Sequence, residues 1–132
     1  MKQKMLDQMA SVTEAQYLQE HAKIKPVLDA EAALRSKLTQ LDAQVKEARG
    51  LSNQDIAMKS LGADLLWQGW HTRTRRQLNV ELAQATAKKL MAMDRLRKSF
   101  GRKHAVETMA KEAKEKQKAD RQARLLEQLT KL

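Results

Sequence analysis

The chain has 132 residues and no cysteine, and its 26 Lys and Arg against 16 Asp and Glu give a formal charge of +10. That length allows a single domain, and the missing cysteines exclude a disulfide framework and thiolate chemistry. With two Trp, one Tyr, one Phe and one Pro, too few bulky side chains are present to fill a globular core, and the wealth of Ala, Leu, Met, Gln, Glu, Lys and Arg points to long helices that bury only a narrow seam.

The charge is unevenly placed. Residues 1–49 carry 8 Lys/Arg against 7 Asp/Glu, whereas residues 71–104 carry 10 against 2. A stretch so poor in acids predicts an acidic partner. No apolar run approaches the roughly 20 residues of a membrane span, and Met1-Lys2-Gln3-Lys4 opens without the apolar stretch of a signal peptide. The expectation is a soluble, cytoplasmic protein.

The first predicted element is a helix over about 2–49. Ile24, Val27, Leu34, Leu38, Leu41, Val45 and Ala48 step by three or four residues, interrupted by Glu31 and extended backwards by Tyr17, which is a coiled-coil seam of about four heptads. Pro26 removes a backbone donor and crowds the preceding turn, so a kink or break is predicted near Ile24-Lys25.

A tight turn is predicted at 50–53. Gly50 suits the left-handed end of a helix, and Ser52 with Asp55 resembles a capping box for the next one. The second helix is then expected over about 54–131. Its seam would use Met58, Leu61, Leu65, Leu78, Leu82, Ala85, Met93, Leu96 and Phe100, and it drifts more than the first. Folding about residues 51–52 sets position i against about 103 − i, so residues beyond about 104 would overhang by roughly 40 Å if helical. The overhang carries four acid-first pairs, from Glu107–Lys111 to Glu127–Lys131. The fold class expected is all-α: one domain over 1–132, an antiparallel coiled-coil hairpin with a C-terminal helical overhang. A hairpin with so weak a second seam could also dimerise.

Chemistry is not expected of it. His21, His71 and His104 are far apart, no set of converging metal ligands or glycine-rich phosphate loop is visible, and two helices enclose no cleft. The expectation is a non-enzyme without a cofactor. The candidate partner-binding residues are Trp70, a ring suited to a docking anchor, the basic side chains Arg73, Arg75, Arg76, Lys88, Lys89, Arg95 and Arg97, and the apolar tip Leu125, Leu126 and Leu129. Trp67 and Trp70 would otherwise pack over Leu34. Nucleic-acid binding through phosphates is the weaker reading of the basic run, because no aromatic lies among those residues to stack on bases.

Trp70, Arg75-Arg76, Leu78-Asn79, Glu81-Leu82-Ala83, Ser99-Phe100-Gly101-Arg102 and Ala105 make the second helix similar to the C-terminal helix of the FliJ family, coiled-coil proteins of the flagellar type III export apparatus related to injectisome stalk proteins. The resemblance spans roughly residues 65–110, and Pro26 departs from the uninterrupted first helix of that family. It implies a stalk inserted into a hexameric export ATPase, contact with the export gate, an association with export chaperones, and a place at the inner face of the membrane held through those partners. The competing expectations are a generic cytoplasmic coiled-coil adaptor or assembly factor and, behind it, a basic nucleic-acid-binding rod.

Overall fold

A computed structural model describes residues 2–54 and 62–132. It contains two long helices packed against each other, α1 (Lys2–Gln54) and α2 (Ala63–Thr130). No helix among the described residues is long and apolar enough to cross a membrane. The chain divides into two compact units: a terminal unit of Met1–Lys23 with Met93–Leu132, and a central unit of Ile24–Ala92.

The buried face of α1 follows a strict alternation of three and four residues, the period that keeps a seam on one side of a helix. In the central unit it runs Ile24, Val27, Glu31, Leu34, Leu38, Leu41, Val45 and Ala48, the positions expected from sequence. In the terminal unit the same period continues through Leu6, Ala10, Thr13, Tyr17 and Glu20, of which all but Leu6 are smaller or more polar.

On α2 the central unit covers Trp67, His71, Thr74, Leu78, Leu82, Ala85, Lys89 and Ala92. Two successive four-residue steps, Thr74 to Leu78 to Leu82, interrupt the heptad. Such an insertion locally unwinds a coiled coil, and here it widens the covered face so that Glu81 and Thr86 are half-buried beside Leu82 and Ala85. The terminal unit resumes the heptad at Leu96, Ser99, Lys103, Val106, Ala110 and Ala113. Three predicted seam positions are therefore corrected. Leu65, Met93 and Phe100 are exposed, and the covered positions beside them are Trp67, Ala92 and Ser99. Met58, Leu61 and Asp55 lie outside the described residues.

The predicted turn at 50–53 is also corrected. α1 continues through Gly50 to Gln54, and the glycine with a left-handed backbone is Gly62, at φ 73°. Its carbonyl accepts the first bond of α2 from the Leu66 N–H at 3.2 Å, and Asp64 places a carboxylate in the first turn, where the helix dipole favours it. α1 is helical through Pro26 as well, so no break occurs there. Proline removes one donor from the ladder, which a helix this long tolerates when neighbouring seam residues hold it in place.

The later turn changes the register. Within the terminal unit Glu20 meets Arg95 and Tyr17 meets Phe100; within the central unit Asp42 meets Arg75 and Glu31 meets Lys89. Facing residue numbers total 115 to 120 in these pairs, against the 103 expected. The overhang consequently begins later than residue 104: Val106 is buried, and Met109, Glu112, Ala113 and Lys116 line a groove with Lys2 and Leu6. Residues 114–132 are exposed throughout, about 28 Å of helix and terminus at 1.5 Å per residue. Glu107 pairs back to Lys103 at 3.4 Å rather than forward to Lys111.

Candidate functional site

The central unit holds six of the residues singled out from sequence, on one helix. Trp67 lies half-buried and stacked on His71, with ring centroids 5.7 Å apart and planes 7° from parallel. His71 is buried, and its Nε2 has no hydrogen-bond partner among the described residues. Trp70, 6.4 Å from Trp67, is 46% exposed. One ring is thus half-buried against His71 of its own helix, and the other is the more exposed.

The basic side chains separate by what they touch. Lys89 is part of the seam: its Nζ lies 2.9 Å from one carboxylate oxygen of Glu31 and 3.1 Å from the other. Arg35 donates to the same carboxylate at 2.9 Å. Hydrogen bonds from Lys89, then from Arg35, hold the Glu31 carboxyl below its ordinary value against the opposing effect of burial. Lys89 is therefore a structural partner of Glu31, and its expected place on an open binding surface is corrected. Glu31 does not merely interrupt the apolar seam; it carries a cross-helix ion pair, a device that specifies register in coiled coils.

Arg75 reaches Asp42 at 2.7 Å with both side chains half-exposed, a contact worth about 0–1 kcal/mol. Arg73, Arg76 and Lys88 are exposed and form no ion pair among the described residues. Arg75 and Arg76 line a shallow open groove with His71, Thr72, Asn79, Val80 and Ala83. The one acid of this part of α2, Glu81, accepts a hydrogen bond from Gln77 at 3.2 Å.

In the terminal unit Arg95 faces Glu20 at 3.7 Å, and Lys98 takes up Asp94 at 3.1 Å. Arg97 is exposed and unpaired among the described residues. Tyr17 sits on the seam with the Phe100 ring at 5.8 Å and the Lys103 ammonium at 5.2 Å over its face, so one of the acid-poor stretch's cations is spent on packing. Leu125, Leu126 and Leu129 are all more than half exposed. Among the described residues no cluster of three His, Asp or Glu side chains is arranged to hold a metal ion.

Sequence reasoning overlooked the outward face of α2 in the central unit. Val80, Ala83, Ala87 and Leu90 are exposed and step by three, four and three residues. That spacing was present in the chain, but the second seam was followed for its covered side alone. The chain matches no protein-family model, no curated protein and no solved structure.

Proposed function

We propose that the chain is a stalk or coupling component of a flagellar-type (type III) protein export apparatus, seating on a hexameric export ATPase and an export gate protein, with export chaperones as further partners. The observation that carries the reading is the set of exposed basic side chains that meet no acid among the described residues, Arg73, Arg76 and Lys88 in the central unit and Arg97 in the terminal unit, and cations so placed attract an acidic surface and speed encounter with it. The resemblance of residues 65–110 to the FliJ family supports the same partner, and so does the bare helix beyond residue 113 with its exposed leucines.

The test adds wild-type protein and an R73E/R76E variant in turn to an export ATPase and follows turnover and hexamer assembly. This pair leaves the Arg75–Asp42 contact intact. Wild-type protein should raise turnover, and the variant should associate slower by about one to two orders of magnitude at low salt with unchanged helix content. Changing Leu125, Leu126 and Leu129 to Ala should instead shorten the lifetime of the complex. If wild-type protein alters neither turnover nor assembly, the export reading fails and a coiled-coil adaptor of another assembly takes its place.

A further inference from the structure

We propose that the outward face of α2 between Gly69 and Leu90 seats one amphipathic helix of a partner protein, with apolar residues at heptad spacing and Asp or Glu opposite Arg73 and Arg76. This goes beyond the export reading and holds whichever assembly supplies the helix.

Position 66 begins the pattern with an exposed leucine, and Gly69, Arg73 and Arg76 continue it in steps of three, four and three residues. Val80, Ala83, Ala87 and Leu90 complete it in the same alternation. This is a second heptad stripe, on the side of α2 away from α1, and apart from Gly69, which is half-buried, its positions are exposed. A 3.5-residue period on an exposed face matches another helix and little else. Ala83 and Ala87 let a second backbone approach closely, as small residues do in tightly packed helix pairs, while Val80 and Leu90 supply the knobs. Arg73 folds back along the helix, its Nη1 3.6 Å from where a side chain on Gly69 would begin. Its aliphatic stem can lie against a neighbour while the guanidinium seeks a carboxylate.

Charge selects the occupant. Residues 66–92 carry five Lys/Arg against the single Glu81, and Glu81 is engaged by Gln77. A second copy of this chain would bring the same cations to the contact and meet like charge. A membrane surface calls for a wide apolar face, whereas this stripe is narrow and is broken by two arginines. Nucleic acid would use the arginines but leave the apolar positions idle. An acidic amphipathic helix satisfies both halves of the stripe.

The test uses a fluorescent synthetic peptide of about four heptads, with Leu at the core positions and Glu flanking them, titrated into the full-length protein. A peptide with Lys in place of Glu serves as control. The discriminating variant is A83R/A87R, which adds positive charge at exposed helix positions and should leave helicity and Tm unchanged. Docking on the stripe predicts binding of the acidic peptide alone, with affinity reduced by roughly tenfold or more in A83R/A87R despite the added charge. Equal or tighter binding by the variant would mean diffuse attraction to a basic surface and overturn the proposal. So would a wild-type dimer in sedimentation that A83R/A87R dissociates, or binding of a short DNA or of anionic vesicles that is lost in that variant while the peptide does not bind. If the peptide binds as stated and an export ATPase does not respond, this inference stands and the export reading falls.

Discussion

The two units are built on one period with different fillings. The central unit sets Leu34, Leu38, Leu41 and Val45 into its seam and anchors it with Glu31 and Lys89. The terminal unit keeps the spacing but fills it mainly with Ala10, Thr13, Ser99, Ala110 and Ala113, relieved by Leu6, Leu96, Val106 and the Tyr17 cluster. Period alone therefore determines which face is covered, while side-chain volume determines how much free energy the covering returns, about 0.8 kcal/mol for each buried methylene. The central unit should hold the chain's stability, and the terminal unit should open first.

The largest effect expected comes from breaking that difference directly. Leu41 is 4% exposed in the central seam, and Leu41→Ala should cost about 2–4 kcal/mol, the transfer term plus a void with no easy collapse. Leu6 is as well covered, at 6%, but it borders an open groove lined by Met109 and Ala113. Water or a neighbouring side chain can fill that space, so Leu6→Ala should cost about 1–2 kcal/mol. Hydrogen exchange should show the Leu6 change confined to residues 2–23 and 93–113, and the Leu41 change lowering protection throughout 24–92. Equal losses, spread alike over both units, would make the chain one cooperative block and remove the comparison.

A smaller effect, of opposite sign at two glycines, tests where α1 ends. Gly62 has a left-handed backbone, so Gly62→Ala should destabilise by about 1–2 kcal/mol. Gly50 lies within α1 with nothing among the described residues within 4 Å of an added methyl, and Gly50→Ala should stabilise by about 0.5–1 kcal/mol. Denaturant midpoints for the two variants decide the matter, and the reverse pattern would return the turn to Gly50.

Those glycines also show what could be read from the chain. The class of fold and the first seam were legible, because an unbroken run of three- and four-residue steps admits one covered face. The turn was not. Gly50 and Gly62 each stand beside residues that suit a helix end, and choosing between them depends on how two seams interlock over the whole pair, not on local chemistry. One wrong turn then displaced the register by more than ten residues, shortened the pairing of α2 and misplaced the overhang. The basic stretch was legible as composition, and Arg73, Arg76, Lys88 and Arg97 are each exposed. That Lys89 belongs to the seam and Lys103 to the Tyr17 ring could not be separated from them by charge alone, because each acts through a contact across the helix pair.

The smallest effect expected is the pH dependence supplied by Glu31. Its carboxyl is held below the ordinary glutamate value by hydrogen bonds from Lys89 and Arg35. A carboxyl with a lowered folded-state pKa adds stability that is fully present above its unfolded value, near neutrality, and is lost as the pH falls through the folded value. Lys89 and Arg35 retain partial exposure, at 28% and 59% of their side chains, so solvent screens the pair and the contribution stays modest. Glu31→Gln keeps the shape and removes the charge. Its Tm should lie below wild type at pH 7, and the gap should close as the pH falls through the lowered folded-state value and wild-type Glu31 itself becomes protonated. Raising salt should narrow the gap at pH 7 as well. A Tm difference that holds constant from neutral to acid pH would show that Glu31 contributes through packing and not through its charge, and the central unit's seam would then owe its register to the leucines alone.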